Sequence, residues 1–167
     1  MKNLKMKSIF YILSLSFGVI IGSCNVSQAQ NKTVTIDPNY NPEAKLDSMG
    51  IVLPQPPTPV ANFVNSVQTG NLLFLSGNGP LNADGKFITG KLGADLTIKE
   101  GYEAARLTGI NQLGVLKSAI GDLRRVKRIV RVTGMVNATN DFTQHPSVVN
   151  GFSDLMVAVF GEKGKHT

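Results

Sequence analysis

The chain has 167 residues, 42% of them hydrophobic and 17% charged, with no tryptophan and a single cysteine. One cysteine excludes an internal disulfide and any cysteine-rich metal site. The net charge is +6, but Lys2, Lys5 and Lys7 supply three of those charges, and the remaining +3 is too small to argue for nucleic acid by itself.

The N-terminus reads as an address. Lys2, Lys5 and Lys7 form a basic n-region, and Ile9 to Ile21 is a nearly unbroken apolar run. That run is short of the roughly 20 residues a membrane span needs, but it suits a signal-peptide h-region. Two exits follow it. Ile21-Gly22-Ser23-Cys24 resembles a lipobox, in which the Cys24 thiol takes a diacylglycerol; Ser27-Gln28-Ala29 offers small residues for ordinary cleavage before Gln30. The lipobox is preferred because it abuts the h-region and uses the only cysteine. It predicts an exported protein, periplasmic or membrane-anchored, held to a membrane by lipid without spanning it.

Residues 1–24 are therefore set aside as signal, 25–49 as a polar tether, and 50–167 as one globular domain. Pro54-Gln55-Pro56-Pro57-Thr58-Pro59 is an extended, stiff lead-in, since each proline fixes φ and biases its predecessor away from helix. Phe63 to Gln68 and Leu72 to Ser76 flank Gly70-Asn71 and predict a β-hairpin, with a third short strand near Lys86 to Ile88 after the turn Ala83-Asp84-Gly85. Thr97-Ile98-Lys99-Glu100 is a capping box. The helix after it buries Ile98, Tyr102, Ala105, Gly109, Leu113, Leu116 and Ile120, and Gly121 ends it. Gly101, Gly109 and Gly114 weaken that helix, for which close packing on a sheet would compensate. Val126 to Val136 is a β-branched run that predicts a strand with Val126, Val130, Val132 and Val136 on one face. A second helix is expected from about Ser147 to Phe160, with Val148, Phe152, Leu155 and Val159 buried and Asn140 or Asp141 available as a cap. The order is β-β-β-α-β-α, and a closing strand is missing from the end.

Few residues form a constellation that carries chemistry. His145 and His166 have no partner at ligand spacing, so no metal is expected. Ser76-Gly77-Asn78-Gly79 lacks the lysine of a phosphate loop and reads as a strand-ending turn, or as a backbone nest for an anion. Arg124, Arg125, Lys127, Arg128 and Arg131 read as a solvated corner, because no aromatic is interleaved to stack bases.

The order of segments goes further. Val60-Ala61-Asn62-Phe63-Val64 followed by Thr69 to Gly77, then Gly93 to Thr97 with Tyr102-Glu103-Ala104-Ala105-Arg106, then Val130 to Val136 with Asn140-Asp141-Phe142, resembles the Rid family (reactive intermediate deaminase, YjgF-like, also labelled endoribonuclease L-PSP) over about residues 50–167. The resemblance implies an α+β, chorismate-mutase-like fold: a mixed sheet with two helices on one face, assembled as a homotrimer with clefts between subunits. It also implies hydrolysis of 2-imino acids to 2-keto acids and ammonia, without metal or cofactor. Ser76 and Gly77 would line the cleft, Asn140 its rim and Phe63 its aromatic wall, where deaminating members usually carry a tyrosine. The arginine that grips the substrate carboxylate, and a glutamate after it, would lie beyond His166-Thr167, so the domain is expected to continue past Thr167. A non-catalytic ligand-binding or chaperone-like trimer of the cell envelope is the alternative. RNA cleavage, with only the basic corner behind it, stands third, and no nucleic-acid partner is expected.

Overall fold

The computed structural model describes residues 39–167. The segment read as a signal, Cys24, the expected alternative cleavage site and the first part of the expected tether lie outside the described residues. No helix among the described residues is long and apolar enough to cross a membrane.

The first element falls where the sequence reads as tether. Pro42–Ser48 is a short helix, α1. Its N-cap Asn41 accepts from the Ala44 N–H at 3.0 Å, and Pro42 sits in the first turn, where its missing N–H costs nothing. Only Pro42 and Leu46 of this helix are buried. Two apolar positions in seven are too few for a periodicity to register, which is why the pattern of residues 25–49 looks polar.

The hairpin forms as the turn dipeptide requires. Ser66–Thr69 (β1) pairs antiparallel with Leu72–Leu75 (β2), Thr69 facing Leu72 and Val67 facing Phe74. Gly70 has φ +55° and no other residue of the turn has positive φ, the pattern of a type II′ loop. Cross-strand partners share a face. Leu73 and Leu75 turn toward the core, while Val67, Leu72 and Phe74 lie on the other face, each about half exposed. The third strand is reduced to one bridge between Leu81 and Phe87, closed by the Asn82–Gly85 turn.

Ile98–Ile120 is the long helix, α2, with the capping box complete: the Glu100 N–H donates to the Thr97 hydroxyl, and the Glu100 carboxylate accepts from the Thr97 N–H at 2.8 Å. The Thr97 N–H, and then the Thr97 hydroxyl donating at 2.7 Å, hold the Glu100 carboxyl below its ordinary range. Burial is wider than one stripe. Leu113, Val115 and Leu116 are all nearly inaccessible, whereas Ile98, in the first turn, is 42% exposed. His145–Phe160 is α3, packed along α2; Val148, Leu155 and Val159 are buried as the spacing predicts, and Phe152 packs partly buried against the core. Its N-cap is Gln144, not Asn140 or Asp141, and Pro146 occupies the first turn. The core gathers Leu46 and Ile51 from the N-terminal segment, Leu113 and Leu116 from α2, Leu123 and Val126 beyond it, and Leu155, Met156, Val159 and Phe160 from α3.

The run from Val126 to Val136 is extended but forms no strand. Its backbone bonds go to the chain's last residues: Ile129 N–H to the Lys163 carbonyl at 2.7 Å, Val132 N–H to the Thr167 carbonyl at 3.1 Å, and Thr167 N–H to the Val130 carbonyl at 3.2 Å. A strand needs a continuous ladder, and β-branched residues supply only the extended backbone. The faces also differ from expectation. Val126 is buried, but Val130 is 58% exposed and the adjacent Ile129 packs on the core. Parallel pairing survives as a bridge of Leu92 with Ala138. The observed α+β architecture is thus two packed helices with a small antiparallel hairpin and isolated bridges around them.

The glycines of α2 have a different cause from the one foreseen. A Cβ on Gly109 would meet Leu155 and Phe152 of α3, and one on Gly114 would strike the Pro54 carbonyl. They make room for α3 and for the proline-rich lead-in, not for a sheet.

Candidate functional site

The loop that follows β2 is the best-organised polar feature. The Ser76 N–H donates to the Asn65 carbonyl at 3.0 Å, and the Ser76 hydroxyl donates to the Val64 carbonyl at 2.5 Å. These two bonds bring Ser76 and Gly77 beside the segment that carries Phe63, itself 49% exposed. From below, α2 supplies two side-chain amides. Gln112 Nε2 donates to the Ser76 carbonyl at 2.7 Å. Asn111 Nδ2 donates to the carbonyls of Gly79 and Leu81, both at 3.1 Å. Asn111 is the buried polar side chain of the core, 7% exposed, and Gln112 Oε1 is buried without a partner.

The bonding leaves a directional surplus. Every carbonyl of the loop that Asn111 and Gln112 reach is occupied, while the N–H groups of Gly77, Asn78 and Gly79 donate to nothing among the described residues. Adjacent free N–H groups at a chain reversal favour an anion or a carbonyl oxygen. Neither Asn111 nor Gln112 is anticipated by the sequence pattern. The available signal was an amide pair set between Ile110 and Leu113, where an amphipathic helix should have been apolar.

Asn140 is held elsewhere. It is exposed in the turn after the bridge of Leu92 with Ala138, where Thr139 N–H donates to the Leu92 carbonyl and Asn137 Nδ2 to the Gly90 carbonyl, both at 2.9 Å. No hydrogen bond joins Asn140 to Ser76 or Gly77 among the described residues. Beside it, the Thr139 hydroxyl holds the Asp141 carboxyl below its ordinary range. Of the four expected cleft residues, Ser76 is thus bonded to Val64 and Asn65, next in sequence to Phe63, and Asn140 shares no hydrogen bond with Ser76 or Gly77 among the described residues. His145 stacks edge-on to Phe142, with centroids 5.2 Å apart, and His166 Nε2 meets Ser153 Oγ at 3.1 Å. No three His, Cys, Asp or Glu side chains cluster among the described residues.

Two cavities, about 490 and 480 Å³, lie on the α1 side of the molecule. One is lined by Tyr40, Lys45 and Phe160, the other by Glu43, Ile51, Pro54 and Lys117. Neither borders the Ser76 loop, which stands on an open surface of the single chain.

Residues 43–167 match the family model described as "YjgF/chorismate_mutase-like, putative endoribonuclease". The chain belongs to the YjgF/chorismate-mutase-like family. Among its YjgF relatives, protein TCP17 of Trypanosoma cruzi is 44% identical over 124 residues, covering 74% of this chain and 78% of that protein. The crystal structure of a "putative endoribonuclease" from Shewanella oneidensis MR-1 superposes with a TM-score of 0.73 at 38% identity, covering 76% of this chain and 84% of that one. Protein Atu1372 of Agrobacterium tumefaciens, of unknown function, gives 0.69 at 35% identity, covering 75% and 78%. The YjgF fold expected from the order of segments is thus the fold of the chain.

Proposed function

We propose that this YjgF-family protein hydrolyses 2-imino acids of the 2-iminopropanoate and 2-iminobutanoate class to 2-keto acids and ammonia, as an exported homotrimer anchored through Cys24. The observation that carries the reading is the row of N–H groups at Gly77, Asn78 and Gly79 that donate to nothing among the described residues, on a loop whose Ser76, Gly79 and Leu81 carbonyls are held by Gln112 and Asn111. Fixed donors stabilise charge that develops in a reaction without reorganising, and they orient a small planar substrate. Water adds to the imine carbon, the nitrogen takes a proton, and ammonia leaves as the carbonyl forms. Phe63 would wall the substrate. Asn140, which makes no hydrogen bond to Ser76 or Gly77 within one chain, would reach the cleft from a neighbouring subunit. Support for assembly comes from the open face of the hairpin, where Val67, Leu72 and Phe74, together with Phe87, expose apolar surface of the kind that marks an interface.

A non-catalytic trimer that binds a small carboxylated ligand is the second reading. It is favoured by Phe63, which has no hydroxyl where deaminating relatives carry a tyrosine. RNA cleavage, named in the family description, would have only the basic corner to support it.

The deciding experiment is hydrolysis of freshly generated 2-iminopropanoate by the tag-free product of the whole gene, sequenced past codon 167 to see whether an Ala-Arg-Ser-like segment follows. Acceleration over buffer supports the deaminase. If that segment is present and nothing accelerates, the reading fails for this substrate class and the binding trimer replaces it. Light scattering tests the trimer independently.

A further inference from the structure

The cations of the described fold are concentrated at one corner. Lys117 to Arg131 carry six cations against one carboxylate, Asp122. The backbone bonds from Ile129, Val130 and Val132 to residues 163–167 bring Lys163 and Lys165 alongside. Several of these charges are already engaged. Arg124 is clamped on Asp122 at 2.7 Å, Lys117 pairs with Glu43 at 3.2 Å, and Lys165 pairs with Glu162 at 2.7 Å. Lys127, Arg128 and Arg131 are exposed and form no salt bridge among the described residues. Outside residues 117–131 and 161–167, the described residues carry five cations against eight carboxylates. The fold is therefore electrically polarised, and a negatively charged plane would orient it with this corner inward.

A second observation selects the plane. The segment that leads from Cys24 enters the described fold at this same corner. Tyr40 lays its ring under Lys163 Nζ, 3.2 Å from the centroid, and its hydroxyl donates to the Val126 carbonyl at 3.4 Å. Fifteen residues separate Cys24 from Tyr40, a contour of at most about 55 Å. Single-stranded nucleic acid would call for exposed aromatic rings among the cations. None lies between Lys117 and Arg131, and Tyr40 is capped by Lys163. The exposed apolar side chain within the run is Val130, 58% accessible.

We propose that Lys127, Arg128 and Arg131 form an electrostatic docking surface for anionic phospholipid headgroups, which holds the domain against the membrane in a fixed orientation. A diacylglyceryl group carries two acyl chains and holds to a membrane without help, so the part left to the patch is orientation: each cation near an anionic surface contributes about 1 kcal/mol. The choice of a lipid plane rests on the exported, anchored reading above. The patch itself is tested without the anchor.

The experiment is sedimentation of the full chain carrying Cys24→Ser with phosphatidylcholine vesicles, with and without phosphatidylglycerol, at low and at physiological salt. The readout is the change in the ratio of anionic to neutral partitioning between variants, to which the N-terminal segment, with Lys2, Lys5 and Lys7, contributes equally in every protein compared. Lys127→Gln, Arg128→Gln and Arg131→Gln together are expected to lower that ratio by roughly a hundredfold, and Arg128→Gln alone by about fivefold. Removing the same charge elsewhere, with Lys86→Gln, Lys91→Gln and Lys99→Gln, is expected to leave it within about twofold. Far-UV circular dichroism verifies that each variant is folded. Equal partitioning to both vesicles overturns the proposal. So does an equal loss from both triple variants, or tighter binding to a single-stranded RNA oligonucleotide than to the anionic vesicle. A fatty-acid mass increment at Cys24 in the wild-type protein tests the anchor separately, so that its absence is distinguishable from failure of the patch.

Discussion

Gly151→Ala is the sharpest test of how the two helices meet. A Cβ at position 151 would lie 2.8 Å from the Tyr102 carbonyl carbon and 3.1 Å from the Arg106 nitrogen, with the Tyr102 carbonyl oxygen closer still. Ordinary contact begins near 3.4 Å, so clearing the carbonyl carbon alone takes about 0.6 Å of retreat by α3 from the α2 backbone, and clearing the closer oxygen takes more than about 1 Å. Backbone cannot rotate aside as a side chain can. A gap of 0.5–1 Å forfeits a quarter to a half of each dispersion contact, and a buried leucine makes roughly 40–60 contacts of about 0.1–0.2 kcal/mol. With half of those contacts crossing the interface, Phe152, Leu155 and Met156 would each lose on the order of 1 kcal/mol. The better helix propensity of alanine returns about 1 kcal/mol, leaving a net destabilisation of about 2–3 kcal/mol. The matched control is Gly109→Ala. Its Cβ would meet Leu155 Cδ2 at 2.9 Å and Phe152 Cδ2 at 3.3 Å, both ends of side chains that can turn. Its cost and its propensity gain nearly cancel, giving a change within about 1 kcal/mol of zero. The chain has no tryptophan, so urea unfolding is followed by far-UV circular dichroism. The midpoint should fall for Gly151→Ala with an unchanged slope, and Tm by roughly 10 °C. If Gly151→Ala is as stable as Gly109→Ala, the close helix crossing is wrong.

Four further outcomes are expected. Leu113→Ala, at a core position 1% exposed, should cost about 3 kcal/mol in urea unfolding, and a cost below about 1 would show that the site collapses. Thr97→Ala removes a cap hydroxyl, about 1 kcal/mol, and with it the hydroxyl bond to the Glu100 carboxylate, while the backbone N–H bond remains. Because that carboxyl is depressed in the fold, its stabilisation is complete above its ordinary value of 4.5 and is lost as pH falls through the folded value; the stability gap to wild type should narrow in acid, and a gap that widens would contradict the capping box. Phe63→Tyr should raise kcat/KM on 2-iminopropanoate about tenfold if the missing hydroxyl limits the reaction, roughly one hydrogen bond in the transition state. Gln112→Met removes both the donor to the Ser76 carbonyl and the unpartnered buried oxygen, so unfolding stability should change by less than about 1 kcal/mol while amide exchange at Gly77 to Gly79 accelerates.

The sequence disclosed the features that depend on local chemistry. The Gly70-Asn71 turn, the Thr97–Glu100 capping box, the Gly121 stop and the α3 stripe are each encoded within one or two turns of chain, and the structure contains all four. What it concealed depends on partners distant in sequence. The β-branched run at Val126 to Val136 specifies extended backbone, but a strand also needs a neighbour, and here the neighbour is the few residues from Lys163 to Thr167. Helix α1 carries too few apolar positions to show a period, and it is recognisable only through Leu46 in the core. The glycines of α2 point to close packing, but not to which surface packs there. For the candidate site, the order of segments points to the loop after β2 that holds Ser76 and Gly77. It does not point to Asn111 and Gln112, because a polar residue on a helix is ordinarily a solvated one.

Those two amides change what kind of object the loop is. A strand-ending turn held only by its own residues would relax around any ligand. Here the Ser76 to Leu81 segment is bonded to the middle of a 23-residue helix through a side chain 93% buried, so its carbonyls cannot rotate outward without leaving Asn111 unpaired in the core. The peptide plane that fixes the Ser76 carbonyl on Gln112 fixes the Gly77 N–H with it, and the N–H groups of Asn78 and Gly79 donate to nothing among the described residues. The same core packing that stabilises α2 thus sets the Ser76, Gly79 and Leu81 carbonyls in advance of any substrate. A cleft completed by a neighbouring subunit would need no rearrangement on this side. That is the condition under which backbone donors lower a barrier and do more than bind.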